Sequence, residues 1–226
     1  MNPIIIALDV PSAADARGIV AALGDAAGFY KVGLELYAAA GMDFVRELKA
    51  QGKRVFIDLK LYDIGEQVKR AVAVISRSGA DFLTVHAVNQ VMRAAAESRG
   101  TGLELLAVTV LTSFDEQDVK DDGSALSLSG LVEMRVRYAI AAGMNGIVCS
   151  SLEVATVRTL TGPGMKLVIP GVRSQGKSAG DQKRVATPAD TIASGADYLV
   201  IGRQVTRAQN PRAELEKIFD EIHACK

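Results

Sequence analysis

The chain has 226 residues, 49% hydrophobic and 23% charged, a balance that suits a folded globular protein and argues against disorder. Its 26 Lys and Arg equal its 26 Asp and Glu, so no overall positive field gathers nucleic acid or an anionic membrane. No apolar run approaches the ~20 residues that span a bilayer, and the opening MNPIIIALDV lacks the charged and long apolar regions of a secretory signal.

Short, β-branched apolar segments recur along the chain at 4–10 (IIIALDV), 29–33 (FYKVG), 54–60 (RVFIDLK), 81–86 (DFLTVH), 104–111 (ELLAVTVL), 146–150 (GIVCS), 166–172 (KLVIPGV) and 198–202 (YLVIG). Each precedes a stretch with helical spacing. Leu36, Ala39, Ala40, Phe44 and Leu48 share one face of such a stretch, and Leu215, Ile218, Phe219 and Ile222 another. Strands this apolar are buried on both faces, as parallel strands covered by helices are. Eight of them alternating with helices predict an α/β protein with a closed (β/α)8 TIM barrel, one domain over 1–226, rather than a doubly wound sheet.

The segment SGADFLTV from position 78 echoes SGADYLVI from position 194, which joins the fourth strand to the eighth. Two readings stand side by side: a half-barrel repeat, or a common helix-to-strand turn closed by glycine. Residues 113–127 are acidic and polar, and residues 173–186 are rich in Gly, Ser and charge. Both read as loops at the carboxyl end of the strands, where the sites of this fold lie, and 174–186 has the composition of a mobile loop on a phosphate side.

Most charges fall on helix faces or turns. A few interrupt strand ends: Asp9, Lys31, Asp58, Lys60 and Arg203. An unpaired buried ion costs several kcal/mol, so these must pair or face a polar cavity. Residues i and i+2 of a strand share a face, so Asp58 and Lys60 project together into the barrel while Leu59 and Leu61 turn outward. Lys31, on the adjacent strand, flanks Asp58, and Asp63 in the following loop reaches across the mouth or into a neighbouring chain. This predicts an alternating array Lys31–Asp58–Lys60–Asp63, whose alternative is a purely structural ion network. At the ends of strands seven and eight, Pro170-Gly-Val-Arg173 and Ile201-Gly202-Arg203 sit where barrels bind phosphate. Gly202 allows close backbone approach, and the Arg203 guanidinium matches phosphate oxygens. The two histidines, His86 and His223, exclude a multi-histidine metal site. Cys149 and Cys225 show neither metal spacing nor disulfide density and fit a reducing cytoplasm.

In chain order, ALDV (7–10), KVGLE (31–35), DLKLYDI (58–64), TVH (84–86), VLTS (110–113), PGVR (170–173), GDQ (180–182) and IGRQVT (201–206) resemble the landmarks of the orotidine 5′-monophosphate decarboxylase family, in its shorter bacterial form. The DxKxxD core is shared with sister decarboxylases and aldolases; the other segments narrow the match. The resemblance implies Lys60 as proton donor, with Asp58, Lys31 and Asp63 completing the catalytic charges. Asp63 would act from the partner subunit of a homodimer. Asp9 and Lys31 would contact the uracil-ribose part, and Thr112 the pyrimidine edge. Arg173, Gln182, Gly202 and Arg203 would grip the 5′-phosphate, with Ile64, Gln67 and Pro170 among the substrate contacts. His86 would only support.

The chain departs from that family where many members read Asp-Ile-Pro-Asn-Thr: here it is Asp63-Ile64-Gly65-Glu66-Gln67, and Tyr62 stands where histidine is frequent. Gln67 can still donate and accept a hydrogen bond, and Gly65 removes a proline that would fix the turn. The implied activity is conversion of OMP to UMP without metal or cofactor in the cytoplasm, with no nucleic-acid or membrane partner. Removal of CO2 from C6 leaves an in-plane anion, so catalysis rests on a prearranged ammonium. The alternatives are a metal-using sister sugar-phosphate lyase, disfavoured by Lys31-Val-Gly-Leu on strand two, and a non-catalytic nucleotide-binding barrel.

Overall fold

Eight parallel strands close on one another in sequence order. They are β1 (Ile4–Ala7), β2 (Phe29–Gly33), β3 (Arg54–Leu61), β4 (Phe82–His86), β5 (Glu104–Val108), β6 (Gly146–Val148), β7 (Lys166–Pro170) and β8 (Tyr198–Ile201). The helices are α1 (Ala13–Leu23), α2 (Leu34–Ala50), α3 (Gly65–Ser76), α4 (Asn89–Glu97), α5 (Glu116–Asp121), α6 (Leu128–Ala141), α7 (Val154–Thr161), α8 (Pro188–Ala193), α9 (Arg203–Thr206) and α10 (Pro211–His223). The structure is a computed structural model, and it describes residues 2–175 and 186–224. All eight strands lie within a residue or two of where the sequence predicts their starts, and β1 pairs with both β2 and β8 to close the barrel.

Alternation along the strands divides the apolar residues into two layers. Ile5, Phe29, Phe56, Phe82, Leu106, Val168 and Tyr198 fill the barrel interior. Ile4, Ile6, Tyr30, Val55, Ile57, Leu83 and Leu105 point outward and meet the helices. Leu36, Phe44 and Leu48 of α2 and Leu215, Ile218 and Ile222 of α10 are buried in that outer layer, on the faces their spacing predicts. Among the described residues no helix is long and apolar enough to cross a membrane.

The amino-terminal end of the barrel is sealed by aromatic rings. Phe29, Phe82 and Tyr198 stand edge to face, with centroids 5.1 to 5.8 Å apart. The Arg54 guanidinium covers them, 4.0 Å from the Phe29 centroid, and donates to the Tyr198 hydroxyl at 3.3 Å.

Two expectations change. Residues 113–127 are not all loop: α5 forms within them, because Asp115 accepts from the Gln117 and Asp118 amides while the Asp118 carboxylate accepts from the Asp115 amide. The strands also end earlier than their apolar runs: β1 stops at Ala7 and β5 at Val108. Leu8 and Thr109 still donate to the neighbouring strands, at Lys31 and Val148, and the residues after them, Asp9 and Thr112 included, form the barrel mouth. The segment 176–185, with Gln182 and most of the expected 174–186 loop, lies outside the described residues. Its flanks meet, for the Arg173 amide donates to the Ala186 carbonyl at 3.1 Å.

Candidate active site

The mouth of the barrel holds a cavity of about 460 Å3. Asp9, Lys31, Asp58, Lys60, Thr112, Pro170, Arg173, Gly202 and Arg203 all line it, as their positions in the sequence predict. On one side is a chain of opposite charges. Lys31 Nζ lies 2.7 Å from Asp9 Oδ1 and 3.4 Å from Asp58 Oδ2. Lys60 Nζ donates to both Asp58 oxygens, at 3.0 Å each. The array therefore runs Asp9–Lys31–Asp58–Lys60. Asp9 extends the array at its Lys31 end; Asp63, expected beyond Lys60, has an exposed carboxylate that accepts from the Ile64 amide.

Lys31 and Asp58 are buried, and burial disfavours both charges. For Lys31 that penalty is outweighed by the Asp58 and Asp9 carboxylates, which hold its pKa above the usual lysine value. For Asp58 burial pushes the pKa up, but the Lys31 and Lys60 charges and the hydrogen bonds from Lys60 and Thr84 bring it below the ordinary carboxylate value. Both groups are thus ionised at neutral pH. Gly33 makes room for the array: a Cβ there would lie 2.9 Å from both Asp9 Oδ1 and Lys31 Nζ.

Asp58 and Lys60 converge by a route that strand alternation does not foresee. The register of β3 on β4 pairs Ile57 with Leu83 and Leu61 with Val85, so residues 58–60 all stand opposite Thr84. Lys60 has φ +48°, the one positive value of a non-glycine among the described residues. Leu59 and Leu61 still pack outward, as predicted.

Across the barrel, β7 and β8 bring Arg173 and Arg203 to the opposite wall. Arg173 is buried and Arg203 exposed. Burial, then the neighbouring Arg203 charge, lowers the Arg173 pKa. The Arg173 guanidinium donates to the Val172 carbonyl at 2.8 Å, which aims it. Thr206, the last residue of the IGRQVT segment, and Arg207 extend this wall; the sequence assigns neither a role, and Arg207 follows on an unremarkable polar stretch.

The family model described as "Orotidine 5'-phosphate decarboxylase / HUMPS family" matches residues 2–218. The chain belongs to that family. Among curated relatives, it is 52% identical to an orotidine 5'-phosphate decarboxylase of Afipia carboxidovorans over 97% of this chain and 94% of that one. It is 49% identical to the enzyme of that name from Methylorubrum extorquens, again over 97% and 94%. Among solved structures, orotidine 5'-phosphate decarboxylase from Lactobacillus acidophilus superposes with a TM-score of 0.87 at 31% identity, covering 98% of this chain and 99% of that one.

Three of the substrate contacts that the family resemblance implies, Asp63, Ile64 and Gln67, are exposed and do not line the cavity. A fourth, Gln182, lies outside the described residues. His86 lines an adjoining cavity with Tyr62 and Arg135 rather than the mouth. Burial, then the Arg135 and Lys60 charges, lowers its pKa, which keeps it neutral at pH 7.

Proposed function

We propose that this chain decarboxylates OMP to UMP in pyrimidine biosynthesis, with Lys60 as the proton donor. The observation that carries the reading is the Lys60 ammonium, held on both oxygens of a buried carboxylate at 3.0 Å, facing a cavity whose opposite wall bears two arginines. The 5′-phosphate binds at Arg173 and Arg203 through charge-assisted hydrogen bonds, and the pyrimidine reaches toward β3. Thr112 meets the ring edge, and Asp9 and Lys31 meet the ribose.

The C6–carboxylate bond breaks, CO2 departs, and the electron pair stays on C6 in the plane of the ring. Lys60 Nζ stabilises that charge and delivers a proton to it, forming the C6–H bond of UMP. The neutral amine then recovers a proton from water. Lys31 and Asp58 hold Lys60 in place before the reaction, so no solvent reorganisation is needed as charge develops. Ground-state repulsion by Asp58 is the smaller effect, because protonation can relieve it.

The reading includes a homodimer in which Asp63, with Ile64 and Gln67, completes the partner's site. Its support is a rim of apolar side chains beside Asp63: Leu34 is 64% exposed, Tyr62 69% and Ile64 67%. It also counts Gln182, which lies outside the described residues, among the phosphate contacts.

The deciding experiment follows the loss of OMP absorbance with purified, EDTA-treated protein. Turnover that survives the chelator is expected. No turnover of OMP, or turnover that needs added metal, overturns the reading and favours a sister lyase acting on a sugar phosphate.

A further inference from the structure

The charged array engages a residue outside the set considered above. Thr84 is fully buried in β4, at the point where three residues of β3 bulge opposite one. Its hydroxyl makes two bonds at once. It accepts from the Lys60 backbone amide at 2.9 Å and donates to Asp58 Oδ1 at 2.9 Å. A hydroxyl has one proton to give, so the direction of each bond is settled by chemistry: an amide can only donate, and an ionised carboxylate can only accept.

We propose that Thr84 is a positioning residue for the decarboxylation, its hydroxyl tying the left-handed Lys60 backbone to the Asp58 carboxylate across the bulge. The inference rests on the decarboxylase reading above.

The bulge needs such a tie for two reasons. A left-handed backbone at a residue with a side chain is strained and persists only where its surroundings hold it. The bulge also takes the Lys60 amide out of the regular ladder, and a buried amide without an acceptor is costly. The Thr84 oxygen supplies that acceptor inside the barrel wall. The same atom fixes one Asp58 oxygen, and Asp58 in turn fixes the Lys60 ammonium. Backbone and side chain of Lys60 are thereby referred to a single point on the neighbouring strand. The methyl group adds stiffness, because a β-branched side chain in a strand is restricted at χ1. Serine keeps both hydrogen bonds and loses only that stiffness, whereas alanine loses both bonds at the same volume deficit.

The experiment compares T84S with T84A in the full-length protein, measuring kcat and KM for OMP and the affinity for UMP. The expected result is a kcat for T84A at least fivefold below that of T84S, with KM and UMP affinity of the two variants within threefold of each other. A smaller kcat ratio overturns the inference. So does a loss in which KM rises and UMP affinity falls along with the drop in kcat, because a merely structural role does that. Should T84A fail to fold, T84V supplies the hydroxyl-free arm under the same criteria, and failure of both while T84S folds overturns the inference in favour of a structural role. Wild-type protein is assayed alongside. If it turns OMP over while T84S and T84A behave alike, only the role of Thr84 falls; if it does not turn OMP over, the decarboxylase reading and this inference fall together.

Discussion

Arg203 and Lys60 line the same cavity, and in the proposed reading they do different work on one molecule. An arginine at the phosphate touches no reacting bond, but its binding energy can align the ring against Lys60 and close the site over it. In R203A, kcat/KM for OMP is expected to fall about 10- to 100-fold, the worth of a charge-assisted contact of roughly 1.5–3 kcal/mol. Turnover of orotidine, which has no phosphate, changes little. Parallel steady-state assays with the two substrates check this, and equal losses on both would remove Arg203 from the phosphate. The residues of this cavity were legible in the sequence to the extent that a charge at a strand end is conspicuous. Asp58 and Lys60 stood out for that reason. Thr84, although within the TVH landmark, carried no role, because Leu83-Thr84-Val85 reads as ordinary strand and the hydroxyl matters only through what it faces. The bulge was equally hidden: Asp-Leu-Lys-Leu alternates as a regular strand does, although its lysine lies in the left-handed region.

At the scale of elements, the echo between positions 78 and 194 has a physical basis in both of its readings. Gly79 and Gly195 each adopt positive φ, as a helix-closing glycine does. The aspartates that follow act alike half a barrel apart. Asp81, before β4, accepts from the Val55 amide of β3 at 2.8 Å and pairs with Lys49 of α2. Asp197, before β8, accepts from the Leu167 amide of β7 at 2.7 Å and pairs with Arg158 of α7. Asn145, before β6, repeats the bond to the Leu105 amide of β5 at 2.9 Å. Each thus ties the start of one strand to the one before it.

Replacing Asp197 with alanine leaves the Leu167 amide without its acceptor and is expected to cost about 1–3 kcal/mol, read as a lower midpoint in urea unfolding. D197N, which keeps an acceptor as Asn145 does, should lose less; equal losses would show that the ion pair with Arg158 carries the effect. Helix spacing revealed the buried faces of α2 and α10. It did not reveal that α2 breaks its helical backbone at Gly41, where φ is +59°, since a lone glycine among helix formers interrupts no apolar stripe.

At the scale of the molecule, the proposed reading needs a second chain to complete the site. The charged array and the arginine wall are present, while Asp63 points away on an apolar rim. If that rim meets a second copy, K60A and D63A chains should complement one another. Each variant alone is expected to be nearly inactive, with K60A still binding UMP. A mixture refolded together should regain about a quarter of wild-type activity, because half of the dimers pair unlike chains and each such dimer holds one intact site. Titrating one variant against the other and measuring OMP turnover checks this, and a mixture no more active than its parts would confine Asp63 to its own chain.

The arginine-capped aromatic floor bears on traffic through the protein. With Arg54 lying on Phe29, Phe82 and Tyr198, the barrel has no rear exit. Whatever enters at the top must leave by the same doorway. In the proposed reaction, CO2 and UMP therefore share one side of the barrel as their way out, the side at which OMP came in.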